Sequence, residues 1–228
     1  MLRRKYSLKD YNKLEAFKDA TKFFIIYEGA DKEPNYFQAF NDTFLDQKKA
    51  YIHHVLEVDT DIAGNMPENL RDRVIHFLKN PPKDLQVTPS KDDKFRFVLD
   101  VDKHPPAQIL SLKEYSESLV DAHLYISNFC FEVWLWFHID QQENITATKS
   151  KEMKTLLGEK QNEMRLGPYP FCYMTTEIIT GAIDKAKAAD IQKENYFPVE
   201  KSTKVYILIE ELLKYSIENN SVTDPEVL

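Results

Sequence analysis

The stretch Phe23-Phe24-Ile25-Ile26-Tyr27-Glu28-Gly29 decides the fold: five apolar residues in a row stop abruptly on a carboxylate and a glycine. An unbroken apolar run bounded by a turn signal suits a strand covered on both faces, as in a parallel sheet with helices on either side, and the polar stop marks its carboxyl end. A second run of the same shape, Phe95-Arg96-Phe97-Val98-Leu99-Asp100-Val101-Asp102, ends on two carboxylates. Sites in open α/β sheets form at the carboxyl ends of strands, which makes Glu28, Asp100 and Asp102 the first candidate residues.

Working outward, Ala30-Asp31-Lys32-Glu33-Pro34 places a proline after a polar turn, and Tyr36, Phe37, Phe40 and Phe44 then recur at helical spacing. This is a βα unit. Residues 51–58 carry Ile52, Val55, Leu56 and Val58 as a second strand, closed by the acidic turn Asp59-Thr60-Asp61. Met66-Pro67 opens a helix bearing Leu70, Val74, Ile75 and Leu78, stopped by Asn80-Pro81-Pro82. Beyond the third strand, Pro105 and Pro106 should hold the chain extended, with a helix over 111–121 and a fourth strand over 124–126. The apolar run 127–138 is expected to be one helix entered through Ser127 or Asn128 as cap. From residue 148 onward the pattern predicts helices only, over 149–166, 176–189 and 203–218. Strands alternating with helices give an α/β fold: a Rossmann-like parallel sheet of about four strands flanked by helices, with a helical C-terminal extension. The expected organisation is an arm over 1–22, an α/β core over 23–145 and a helical extension over 146–228 packed on that core.

A chain of 228 residues with 43% hydrophobic and 29% charged residues, and no low-complexity tract, fits one sizeable globular core. Its formal charge of -7 argues against a general nucleic-acid coat, but not against a local site that handles phosphates through metal ions. Cys130 and Cys172 have neither zinc spacing nor a disulfide framework, which points to a reducing cytoplasm. No stretch reaches membrane-spanning length, and Met1-Leu2-Arg3-Arg4-Lys5 has no apolar segment behind it, so neither membrane insertion nor export is expected.

In a doubly wound sheet the first and third strands flank the point where strand order reverses, so Glu28 meets Asp100 and Asp102 at one crevice. Residues two apart on a strand share a face, which aims both aspartates at one place. Converging carboxylates repel one another unless cations sit among them, and Mg²⁺ or Mn²⁺ suit oxygen donors that leave room for water and phosphate. In-line displacement at phosphorus is the matching reaction. The plainer account is that acids at strand ends cap helices or take a turn's amide protons. Glu132 stands out as the one acid in an apolar run; on a helix it shares a face with Asn128 and needs a metal, a lysine, a substrate donor or a loop amide as partner. His104 is beside Asp102, yet a loop histidine is ordinarily solvated. His138 reads as a core histidine, His53 and His54 have no cysteine near them to suggest zinc, and Trp134, Trp136 and Phe137 read as core.

Phe24-Ile25-Ile26-Tyr27-Glu28-Gly29-Ala30-Asp31-Lys32-Glu33-Pro34-Asn35-Tyr36-Phe37 resembles the opening motif of RloB-like (AbiLii-type) proteins, a strand followed by Glu-Gly-x-x-Thr-Glu-x-x-Tyr-Phe, with Lys32 where threonine is usual. Leu99-Asp100-Val101-Asp102-Lys103-His104 is similar to the family's Asp-x-Asp segment. Ile126-Ser127-Asn128-Phe129-Cys130-Phe131-Glu132-Val133-Trp134-Leu135 is similar to its Ser-Asn-Pro-Cys-Phe-Glu-x-Trp-Leu signature, with Phe129 replacing proline. Asn195-Tyr196-Phe197-Pro198 through Thr203-Lys204-Val205 loosely matches its closing region. The resemblance implies a Toprim-like fold, shared with topoisomerases, primases and OLD-type nucleases, and a setting in bacterial restriction, phage defence or abortive infection, often beside an AAA- or ABC-type ATPase. It implies Glu28 as general acid/base or metal ligand, Asp100 and Asp102 as metal ligands, and Glu33, Asn128 and Glu132 as residues holding metal or substrate; His104 joins that outer set by position.

Two functions compete. One is a Mg²⁺- or Mn²⁺-dependent nuclease acting on DNA or RNA; the other is a non-catalytic regulatory or interaction subunit of a defence ATPase, in which the acids are relics. A HAD-type phosphatase is disfavoured, because its nucleophile strand normally comes first and has threonine or valine where this chain has His104. The apolar last helix, with Val205, Ile207, Leu208, Ile209, Leu212 and Leu213, packs either on the core or on a second copy of the chain in a homo-oligomer.

Overall fold

The structure, a computed structural model, describes residues 20–55, 66–80, 92–101 and 104–217. The expectations for 1–19, for the end of the second strand with its acidic turn, and for Asp102 fall outside these residues. Strands β1 (Thr21–Tyr27), β2 (Ala50–His54), β3 (Lys94–Asp100) and β4 (Ala122–Asn128) run parallel in one sheet, and the two-residue β5 (Ser202–Thr203) adds to it antiparallel, in the order β2-β1-β3-β4-β5. The expected four-stranded parallel core is therefore present, with a fifth strand at Ser202–Thr203, where the helix expected over 203–218 would begin. Thr21 and Lys22 belong to β1 rather than to an arm.

The alternation of β1 explains its unbroken apolar run. Phe23, Ile25 and Tyr27 enter one core cluster, while Phe24 and Ile26 enter the other, so both faces are buried. The smaller cluster takes Leu70, Val74 and Phe77 of α2 (Pro67–Lys79) and Ile109 and Leu112 of α3 (Pro106–Glu117). Phe77, not Leu78, completes the buried stripe of α2; Leu78 is 38% exposed. Pro106 opens α3 rather than extending the chain, since a proline at the first helical position sacrifices only an amide that lacks a partner there anyway. The larger cluster takes the aromatic face of α1 (Lys32–Phe44), together with α4 (Glu132–Phe137), α5 (Ser150–Glu163), α6 (Thr176–Ala189) and α7 (Val205–Leu213). Every residue of α4 is buried, including Trp134 and Trp136, so these are core. His138 is also core: burial pushes its imidazole down to about 3, and it bonds Tyr36 Oη at 3.1 Å and the Trp134 carbonyl at 3.0 Å.

Ser127 and Asn128 do not cap a helix. β4 continues through them because they pair with Thr203 and Ser202, and α4 starts only at Glu132. The last helix packs on the sheet, with Val205, Leu208, Ile209 and Leu212 buried and Ile207 turned outward. Arg96, the one charge inside the apolar run Phe95–Leu99 of β3, is 1% exposed and gives two hydrogen bonds to the Glu211 carboxylate, at 2.8 and 2.6 Å, tying α7 to β3. Lys204, which precedes α7, is likewise buried and bonds both oxygens of Asp190 at 2.9 and 2.6 Å. Among the described residues no helix is long and apolar enough to cross a membrane.

Candidate functional site

The sheet order puts β1 between β2 and β3, so the chain steps from β1 to one side and returns to the other; the crevice between β1 and β3 is the switch point. Tyr27 lies beside Val98 and Asp100 beside Ser127, so β1, β3 and β4 end on the same side of the sheet, with β3 running two residues past the end of β1. Asp100 follows Arg96 and Val98 in the alternation of β3 and so shares the face covered by α1, α4 and α5. That face is where the buried acids gather.

Glu33 sits in the first turn of α1 and is 7% exposed. Its carboxylate folds back over Gly29: a Cβ added there would meet Glu33 Oε2 and oblige that side chain to move, so glycine leaves room for the carboxylate where it lies. Burial pushes the Glu33 carboxyl up to about 7, and the nearby charges of Glu132 and Glu28 push the same way, while its own amide and Lys154 oppose them. Glu132 opens α4, is 6% exposed, and has Lys154 Nζ of α5 at 4.0 Å from Oε1. Lys154 is held charged by Glu132, Cys130, Asp100 and Glu33, against the cost of its own partial burial. Burial, with Glu132 and Asp100, keeps the Cys130 thiol protonated and so a weak nucleophile. Glu33, Glu132 and Asp100 thus form one electrostatic group around Lys154.

Glu28 is held differently. Its carboxylate accepts a hydrogen bond from His104 Nε2 at 2.9 Å, with side chains 11% and 3% exposed respectively. His104 is therefore buried at the turn following β3 instead of solvated, and among the described residues its Nδ1 has no hydrogen-bond partner. Glu28 reaches the acid group through its charge on Glu33. Asn128 is not part of the group: its Nδ2 donates to the Pro198 carbonyl at 3.1 Å, fastening the segment before β5 to the end of β4. Asp102 lies outside the described residues. Among the described residues, no three His, Cys, Asp or Glu side chains stand in an arrangement that could already hold an ion.

Two contributors escape the sequence reading. Tyr169, in the segment between α5 and α6, donates to the Lys32 carbonyl and carries the Lys32 ammonium 4.2 Å above its ring centre, walling the site next to Glu33. Lys154 carries a weak signal: it stands four residues after Ser150 and beside Met153, at the half-exposed edge of the buried stripe of α5. Chemically, the crevice offers several hard oxygen donors and one half-exposed ammonium, with the Cys130 thiol held protonated and His104 occupied by Glu28, and hard oxygen donors suit Mg²⁺ or Mn²⁺ better than softer ions.

A family model described as RloB-like protein matches residues 23–212, which span β1 through α7 and include every residue of this crevice. No curated protein and no solved structure matches the chain. With the family model covering most of its length, this chain belongs to the RloB-like protein family.

Proposed function

We propose that this protein is a metal-dependent nuclease with a Toprim-like core, hydrolysing phosphodiesters of DNA or RNA in the cytoplasm as part of bacterial anti-phage defence. The observation that carries the reading is the gathering of Asp100, Glu33 and Glu132 at the switch-point crevice, buried and, among the described residues, sharing the charge of the Lys154 side chain. Self-repelling carboxylates in such a place call for a cation. Asp100, with Glu33 and Glu132, would hold Mg²⁺ or Mn²⁺, joined by Asp102 and Glu28 as the family resemblance implies. When bound, the ion would activate water and offset the charge developing at phosphorus.

The chain's own residues supply the rest. The His104 hydrogen bond fixes the Glu28 carboxylate at the mouth of the crevice. Tyr169 and Lys32 close the side next to Glu33, limiting water on that flank. The test is cleavage of labelled single- and double-stranded DNA and RNA by the purified chain, with Mg²⁺, Mn²⁺ or EDTA. Cleavage should stop with EDTA and in Asp100→Asn, while circular dichroism stays unchanged. Full activity in Asp100→Asn removes the reading.

A second reading, a non-catalytic subunit of an AAA- or ABC-type ATPase complex, is favoured by one observation: among the described residues, no three of the acids stand in an arrangement that could hold an ion. It expects copurification with an ATPase and no cleavage under any metal.

A further inference from the structure

Lys154 belongs to a helix outside the sheet core, yet its charge is directed at the crevice. Its neighbours on the buried stripe of α5, Ser150, Met153 and Leu157, pack inward, and its ammonium extends past them toward Glu132. Glu132, Asp100 and Glu33 all attract it. Lys32, also on the flank of Glu33, lies over the Tyr169 ring instead. Among the described residues, Lys154 is thus a cation whose charge these three buried acids share.

The balance is loose. The Lys154 side chain is 50% exposed and stands 4.0 Å from Glu132, beyond the 2.7–2.9 Å or so of a charge-assisted hydrogen bond. A half-exposed ammonium on a four-carbon stem returns to water at little cost. We infer that Lys154 is the built-in counter-cation of the carboxylate crevice, lowering acid-acid repulsion while no metal is bound and competing with any divalent ion that enters. This rests on the reading above that the crevice takes such an ion. Its consequence is that α5 sets the metal affinity of a site whose donors lie on β3, α1 and α4.

The experiment has two arms, both on the full chain. In the first, Mn²⁺ is titrated into wild type, Lys154→Gln and Lys154→Arg by calorimetry. Removing a competitor should tighten Mn²⁺ binding by about threefold in Lys154→Gln, the scale of a half-exposed ion pair, and leave Lys154→Arg near wild type. Damage to packing alone would weaken binding instead. In the second arm, urea unfolding in EDTA is measured for Lys154→Gln, Glu132→Gln and the double variant. Lys154→Gln should raise the unfolding constant of wild type by about threefold and leave that of Glu132→Gln nearly unchanged. Equal or weaker Mn²⁺ binding in Lys154→Gln, while wild type binds, overturns the inference and leaves the metal site standing. Absence of Mn²⁺ binding in every protein removes the metal site, and the metal-free cycle then decides: coupling upholds the counter-cation and its absence overturns it.

Discussion

Replacing Glu33 by glutamine should make the protein more stable at alkaline pH and leave it nearly unchanged at acid pH. Glu33 is 7% exposed, and burial, then the charges of Glu132 and Glu28, push its carboxyl from an ordinary 4.5 up to about 7. Between those two values the folded chain holds a proton that the unfolded chain has released. Stability therefore falls as pH rises across that window, because the folded state binds more protons than the unfolded one. At roughly 1.4 kcal/mol for each pH unit, an ionised Glu33 costs the fold at most about 3 kcal/mol at pH 8. Glutamine keeps the shape without the charge and removes that cost. The buried Trp134 and Trp136 give a fluorescence signal for unfolding. In EDTA, Glu33→Gln should gain up to about 3 kcal/mol at pH 8, or on the order of 5–10 °C in Tm for a chain of this size, and the gain should vanish near pH 4. A variant less stable than wild type at pH 8, or a difference that does not change with pH, would refute the placement of Glu33 in a charge-poor, acid-rich crevice.

Gly29→Ala tests the same placement from the backbone side: the added Cβ meets the flexible end of Glu33, so the fold should survive within about 1 kcal/mol while the pH-dependent penalty disappears, and an unaltered pH profile would contradict this. Asp190→Ala should destabilise by about 3–5 kcal/mol in urea unfolding, because Lys204 and the Tyr206 hydroxyl both bond the Asp190 carboxylate and the buried ammonium would lose its counter-charge; a loss below about 1 kcal/mol would show that the ammonium reaches water. His104→Ala should leave the fold intact but lower nuclease turnover by freeing the Glu28 carboxylate, and turnover equal to wild type would separate Glu28 from the chemistry.

The parts of this fold legible in the sequence are those whose burial is local and periodic. The runs ending at Tyr27 and Asp100 are apolar on both faces and announce parallel strands, and α6 keeps its expected bounds of Thr176–Ala189 because Ile179, Ala182, Ile183 and Ala186 recur at helical spacing. The boundary between β4 and α4 is not legible. Residues 127–138 are apolar almost throughout, and what makes strand of Ser127 and Asn128 is pairing with Thr203 and Ser202, far along the chain. The site shows the same division. Glu28, Asp100 and Glu132 are conspicuous as acids closing or interrupting apolar runs, and Glu33 is singled out only by the family resemblance, whereas their grouping depends on which face each element presents. His104 looks like a solvated loop residue until Glu28 covers it, and Lys154 looks like one lysine of a charged helix until α5 is laid against α4.

The central claim, that acids at adjoining strand and helix ends share a divalent ion, is tested most directly by crystals of the protein soaked in Mn²⁺ and measured at the manganese edge. The account predicts an anomalous peak bonded to Asp100 and to at least one of Glu33 and Glu132, with the Lys154 ammonium moved away from Glu132. No peak in the crevice at saturating Mn²⁺, or an ion bound only remote from Asp100, would contradict it.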